Sequence, residues 1–172
     1  MILEGKRPSR VRIRLLTGTD IMIAIHMCSR PKRDEAICSV IKDAGDDPDV
    51  THRAEIGARV SLMESDQRCG MDIRPEIIIS GGEGVGRVTK PGLEVEPGQP
   101  AINPGPRKMI TQAIAEVLKK HRLDHTVCTE IFVPRGKKLA KNTLNARLGI
   151  LGGISILGTT GVVRPMSHDA FI

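Results

Sequence analysis

The sequence has no tryptophan, no tyrosine and only two phenylalanines among its 172 residues. Proteins that hold single-stranded nucleic acid stack its bases on aromatic rings, so this composition argues against that partner. The basic residues do not revive the idea, because they are spread along the chain instead of forming one patch. A formal charge of +6 still suits an anionic partner. A polycarboxylate or polyphosphate small molecule fits it, and so does a purely solubilising role.

Other absences narrow the class further. No run approaches the roughly eighteen apolar residues of a membrane-spanning helix, and the start "MILEGKRPSR" carries charges where a signal peptide is apolar. The longest uncharged stretch, "LGILGGISILGTTGVV" (148–163), is interrupted by five glycines and reads as buried strand and turn. A soluble cytoplasmic protein is expected. Cys28, Cys38, Cys69 and Cys128 form no C-x-x-C pair, so reduced thiols are expected and no zinc or redox motif is read from them. His26, His52, His121, His125 and His168 are read as surface or core residues, not as metal ligands.

What is present is strand pattern, one long helix and much glycine. Residues 10–16 alternate basic and apolar, and "DIMIAIHM" (20–27) follows a "TGT" turn, which predicts a hairpin with its arginines toward solvent. "AICSVI" (36–41) and "AEIGARVSLM" (54–63) are strands on either side of an acidic turn, and "EIIIS" (76–80) is a short buried strand. From Gly81 to Pro106 glycine and proline leave hardly a place for a helix. Irregular stretches of that length in a compact domain are usually functional or disordered. Met109, Ile110, Ala113, Ile114, Val117 and Leu118 recur at helical spacing, so residues 106–121 form an amphipathic helix opened by Pro106. "TVCTEIFVP" (126–134) is a strand, residues 137–149 a short helix with Leu139, Thr143 and Leu144 inward, and "GISIL" and "TGVVR" are closing strands. The order predicts an α+β fold with a mixed sheet, residues 1–172 forming a single domain.

"GGEGVGRV" (81–88), placed after a strand, invites comparison with dinucleotide loops. Those loops feed directly into a helix whose N-terminus receives the phosphate. Here Pro91, Gly92, Pro97 and Gly98 follow, and no G-K-[ST] closes the loop, so neither a Rossmann site nor a P-loop is expected. The glycines serve turn geometry or let a ligand approach the backbone. The acidic turn "KDAGDDPDVT" (42–51) has no EF-hand register. It reads as an Asx-type turn fixed by Pro48, or as carboxylates that grip vicinal hydroxyls.

Four stretches in order, "VIKDAGDDPDVT" (40–51), "GGEGVGRVTKPGL" (81–93), "AINPGPRKMI" (101–110) and "LAKNTLNARLGILGGISILGTTGVVRPMS" (139–167), resemble the cobalt-precorrin-5B C(1)-methyltransferases of the CbiD family. The resemblance runs from about residue 11 onward. It implies methyl transfer from S-adenosylmethionine to ring carbon 1 of cobalt-precorrin-5B, giving cobalt-precorrin-6A in anaerobic cobalamin synthesis. Cobalt would then arrive inside an anionic corrinoid substrate, with no nucleic acid or membrane involved and homo-oligomerisation left open.

On that reading Asp46, Asp47 or Asp49 binds the donor's ribose hydroxyls or ammonium, and Gly82, Glu83, Gly84 and Gly86 shape its adenosine pocket. Thr159 and Thr160 hydrogen-bond donor or substrate, or cap a turn. Arg107, Arg135, Lys138, Lys141, Arg147 and Arg164 pair with the macrocycle's carboxylate arms, or are solvated charges. No catalytic residue is singled out. The family's usual threonine- and glycine-rich start and its further domain find no counterpart, so the chain reads as an incomplete copy. The alternative is a corrinoid- or donor-binding fragment without turnover.

Overall fold

The computed structural model describes residues 2–45, 49–64 and 76–158. Strands β1 (Arg10–Arg14) and β2 (Asp20–Ala24) form the expected antiparallel hairpin. Arg10, Arg12 and Arg14 are exposed while Val11 and Ile13 are half-buried, as a two-residue period requires. The apolar run does not continue as one strand through Met27. It breaks at Ile25, and β3 (Met27–Lys32) belongs to another sheet. The sequence hid β3 because "MCSRPK" neither alternates nor avoids proline, and an edge strand tolerates both.

That sheet has five strands in the order β3, β4 (Glu35–Ile41), β5 (Glu55–Glu64), β8 (His125–Phe132) and β6 (Ile77–Gly81). All neighbours are antiparallel except β8 and β6, so the expected mixed sheet is present. Two residue pairs, β7 (Arg87–Val88) and β9 (Ile150–Leu151), make a small ladder beside it.

Register decides which side chains share a face. Ala36, Val60, Thr129 and Ile79 stand in one row across four strands, with Val127 and Ile131 on the same side of β8. Helix α1 (Pro104–His121) lies over this face. Val85, Ile102, Ile131, Val133 and Ile154 form the main buried cluster at the end where β6 and β8 finish. Each such side chain contributes roughly 1.5–3 kcal/mol by leaving water. A smaller cluster of Val88, Val95, Ala101 and Ile150 lies within the loops beyond that end.

The opposite face is open. Arg59 bridges Glu35 at 2.9 Å and Glu130 at 3.7 Å across three strands, and Ile78 and Met63 are exposed. Phe132 lies over Gly57, where any β-carbon would strike the ring.

Some expectations need correction. The apolar stripe of α1 is only partly used: Ala113 and Val117 are exposed, and a groove of about 430 Å³ separates the helix from the sheet. The second helix is only α2 (Gly136–Leu139) followed by a 3-10 turn at Ala140–Asn142. Leu144 is exposed instead of inward, because the helix stops before it. "GISIL" contributes only isolated bridges, Val85 with Ile154 and Ile102 with Ile156, and "TGVVR" lies outside the described residues. Cys28 and Cys38 stand opposite one another across β3 and β4, with Cα atoms 4.2 Å apart, close enough for a disulfide to bridge them. A separation of ten residues hid that pairing, since it depends on hairpin register.

Thr129 is buried at the centre of the sheet, and its hydroxyl has no hydrogen-bond partner among the described residues. Replacing such a hydroxyl by a methyl of equal shape removes a desolvation cost. Thr129→Val is therefore expected to raise the unfolding free energy by about 1 kcal/mol in urea titration.

Candidate functional site

Because β6 runs parallel to β8, both deliver their carboxyl ends to the same edge of the sheet, and the β4–β5 turn sits there too. Ligands of α/β sheets gather outside carboxyl strand ends, where loops diverge. The acidic turn, the glycine loop and the segment after β8 all emerge at this end.

The acidic turn is largely occupied with itself. Asp49 accepts hydrogen bonds from the backbone N–H of Thr51 at 2.6 Å and from its hydroxyl at 2.7 Å, and pairs with the Lys42 ammonium. Partial burial alone would raise the Asp49 pKa, but Lys42 and Thr51 overcome it and hold the carboxyl down at about 2. His52 Nδ1 accepts from the Ala44 N–H, and Asp43 accepts from the Gly45 N–H. Asp49 thus fixes the turn, and its oxygens are already engaged. Asp46 and Asp47 lie outside the described residues.

The glycine loop makes room chiefly for the chain itself. Gly84, at φ +72°, has its α-carbon against the Val133 carbonyl and the Gly136 N–H, and Gly153 packs on the Gly84 carbonyl. Gly86 is closed off by Ile150 and by the Gly153 carbonyl. The backbone joins are short: Ile154 N–H to Gly84 O at 2.9 Å, Gly86 N–H to Ile154 O at 2.8 Å, Val133 N–H to Glu83 O at 2.8 Å. The approach that these glycines permit is therefore taken by other backbone. Gly82 lies against the Glu130 side chain, and the Glu83 side chain is exposed.

The basic residues divide in two. Arg107 is half-buried, and its guanidinium donates to the carbonyls of Ile102 at 2.9 Å and Ile79 at 3.3 Å, so it clamps the start of α1 to β6. Arg135, Lys138, Lys141 and Arg147 are exposed on the segment after β8. Arg135 donates to the Arg53 carbonyl at 3.3 Å, tying that segment to the acidic turn. Arg164, Thr159 and Thr160 lie outside the described residues.

A cavity of about 250 Å³ opens between the loop before α1 and the turn after α2. Its walls are mostly aliphatic, from Val88, Val95, Ala101, Leu148, Ile150 and Leu157. Four polar side chains line it. Asn103 donates to Glu94 at 2.8 Å. Buried Asn145 donates to the Gly153 carbonyl at 3.2 Å and accepts from the Ser155 hydroxyl at 3.4 Å. Reading the sequence missed these four. The signal available was that all of them fall inside or between the matched segments.

His121 and His125 have the four-residue spacing that can hold a metal on one helix, a spacing the sequence reading passed over. Here α1 ends at His121 and His125 opens β8, and His121 lies 3.3 Å from Glu4. No group of three or more His, Cys, Asp or Glu side chains among the described residues is placed to hold a metal. Nor, among them, is any helix long and apolar enough to cross a membrane.

The sequence model of the CbiD family matches residues 1–165, reaching further toward the start than the motifs alone. Proteins named cobalt-precorrin-5B C(1)-methyltransferase from Desulfitobacterium hafniense, Thermus thermophilus and Methanocaldococcus jannaschii are 48%, 48% and 46% identical over 98–99% of the chain. The chain spans 41–43% of the length of these relatives. The crystal structure of a cobalamin biosynthesis protein (cbiD) from Archaeoglobus fulgidus matches 96% of this chain and 49% of its own, at TM-score 0.67 and 25% identity.

Three substitutions test this geometry. Gly18 also has positive φ, +84°, but open space around it, so Gly18→Ala is expected to cost about 1–2 kcal/mol of backbone strain. Gly84→Ala adds a collision with the Val133 backbone and is expected to cost more than about 4 kcal/mol or to prevent folding, as read by urea unfolding. For Asp49 the folded pKa lies below the ordinary value of 3.8. Its stabilisation is thus complete above that pH and lost as pH falls through about 2. Asp49→Asn should flatten the wild-type fall in urea midpoint across that window.

Proposed function

The chain belongs to the CbiD family, and from that premise we propose that it methylates ring carbon 1 of cobalt-precorrin-5B, giving cobalt-precorrin-6A, with S-adenosylmethionine as donor. The observation that carries the reading is the identity of 44–48% to relatives named for that reaction, sustained over nearly the whole chain. The convergence of the matched segments on one end of the sheet supports it, since a methyl transfer needs one place for two ligands. In this reading residues 1–172 act as one α+β domain in the cytoplasm.

The bound donor supplies an electrophilic methyl group on a positively charged sulfur. Transfer is an in-line displacement, and alignment of donor and acceptor carbon accounts for most of what an enzyme can contribute. Little proton transfer is demanded, so the reading rests on binding and alignment and not on an acid–base pair. The residues fit the donor better in the aliphatic cavity than at Gly84 and Gly86, where backbone fills the space.

The macrocycle's acetate and propionate arms need cations with free donors. Lys138, Lys141 and Arg147 are exposed on the segment that leads into the cavity wall at Asn145 and Leu148, and Arg135 and Arg164 extend the same basic run in sequence. Arg107 is assigned to structure, because its donors are turned to backbone carbonyls.

The test is incubation of the purified chain with cobalt-precorrin-5B and methyl-labelled S-adenosylmethionine. One label at ring carbon 1, with an equal amount of S-adenosylhomocysteine, is expected; absence of label transfer overturns the reading. Arg147→Glu is expected to raise the corrinoid KM by about tenfold with a smaller change in kcat.

A further inference from the structure

We propose that the cavity between residues 88–103 and 143–157 holds the nucleoside half of the methyl donor, with Glu94 accepting hydrogen bonds from the ribose diol. The inference rests on the donor assigned above and goes beyond it by naming the pocket and its polar contact.

Three observations carry it. The first is shape and chemistry. A purine is flat and apolar on both faces, with donors and acceptors at its edge. The cavity is lined by the aliphatic side chains of Val88, Val95, Ala101, Ile150 and Leu157, while Asn145 and Ser155 offer amide and hydroxyl groups at its lining.

The second is the behaviour of Asn103. It occupies the N-cap position of α1, where its side chain would ordinarily bond the helix's first N–H groups. It makes no such bond, and Pro106 at the third helical position has removed one of the two donors it would serve. Its amide nitrogen instead holds Glu94 at 2.8 Å. That contact uses one carboxylate oxygen, Oε2, and leaves Oε1 for a vicinal diol, the role an acidic residue plays toward ribose in dinucleotide sites.

The third is position. The cavity shares Val88, Val95, Ala101 and Ile150 with the smaller buried cluster, so its walls are held by packing. The exposed basic segment ending at Arg147 runs directly into its rim at Leu148. A nucleoside seated here would leave the sulfonium arm of the donor beside the cations proposed for the corrinoid.

The experiment is calorimetric binding of S-adenosylhomocysteine, adenosine and 2′-deoxyadenosine to the 172-residue chain and to two variants. Glu94→Gln keeps an acceptor for Asn103 but loses the charge. Leu148→Trp fills the rim from an exposed position without touching the buried cluster. Each is expected to weaken S-adenosylhomocysteine at least about tenfold, with unchanged melting temperature. Adenosine should show the same Glu94→Gln loss, and 2′-deoxyadenosine little of it, since one hydroxyl of the diol is gone. Wild-type affinity in both variants would overturn the pocket while leaving the donor and the reaction intact. No binding of S-adenosylhomocysteine by the unaltered chain would overturn the pocket and the donor assignment together.

Discussion

Contact of backbone on backbone, with no side chain between, holds together the end of the sheet where the functional segments meet. Gly84 lies against Val133 and Gly136, and Gly153 lies against Gly84. Every one of these approaches is closer than a β-carbon allows. The hydrogen bonds that follow, from Ile154 to Gly84, from Val133 to Glu83 and from Ala101 to Gly86, tie the glycine loop to three other stretches in one unit. Their N–H and C=O groups would otherwise be buried without partners, which folded proteins rarely tolerate. The aliphatic cavity beyond, with Asn145 held by the Gly153 carbonyl, exists because this unit does.

Much of the fold was legible because its signals are local. Alternation in "RVRIR" announced the first hairpin, helical spacing announced α1, and short apolar runs announced β4, β5, β6 and β8. The failures have physical causes. β3 carries a proline that only its edge position excuses. The Cys28–Cys38 pair depends on hairpin register, and the second helix was cut short because residues 143–149 serve turns and a cavity wall. For the site, the sequence drew attention to segments that meet at one end of the sheet, but not to how their atoms are engaged there. The glycines of "GGEGVG" suggested space for a ligand, whereas that space is filled from residues fifty to seventy positions away, which no local pattern records.

The charged residues teach a related lesson. Arg107 and Arg147 look alike in the sequence, yet one is spent on two carbonyls and the other is free at the surface. Asp49 and Glu94 differ in the same way. Asp49 accepts from Lys42 and Thr51 with both oxygens, whereas Glu94 accepts from one amide with a single oxygen. A residue can recognise a ligand only with donors and acceptors the fold has left over, and that remainder appears only once the hydrogen bonds are counted.

The parallel pairing of β6 with β8 has a consequence for the order of assembly. Among the described strands β6 pairs with β8 alone, and β8 is flanked by β5 on its other side. The hairpin of β4 and β5 forms from neighbouring residues, but β6 must wait until the loop, α1 and β8 have all been made. Pairings that close long loops form slowly, since chain entropy is lost before contacts repay it. The glycine junction hangs from the carboxyl end of β6 and is therefore among the last parts to seat. In the reverse direction it is among the first to open, so a small molecule wedged between its loops would act as a clasp on the late-forming half of the sheet.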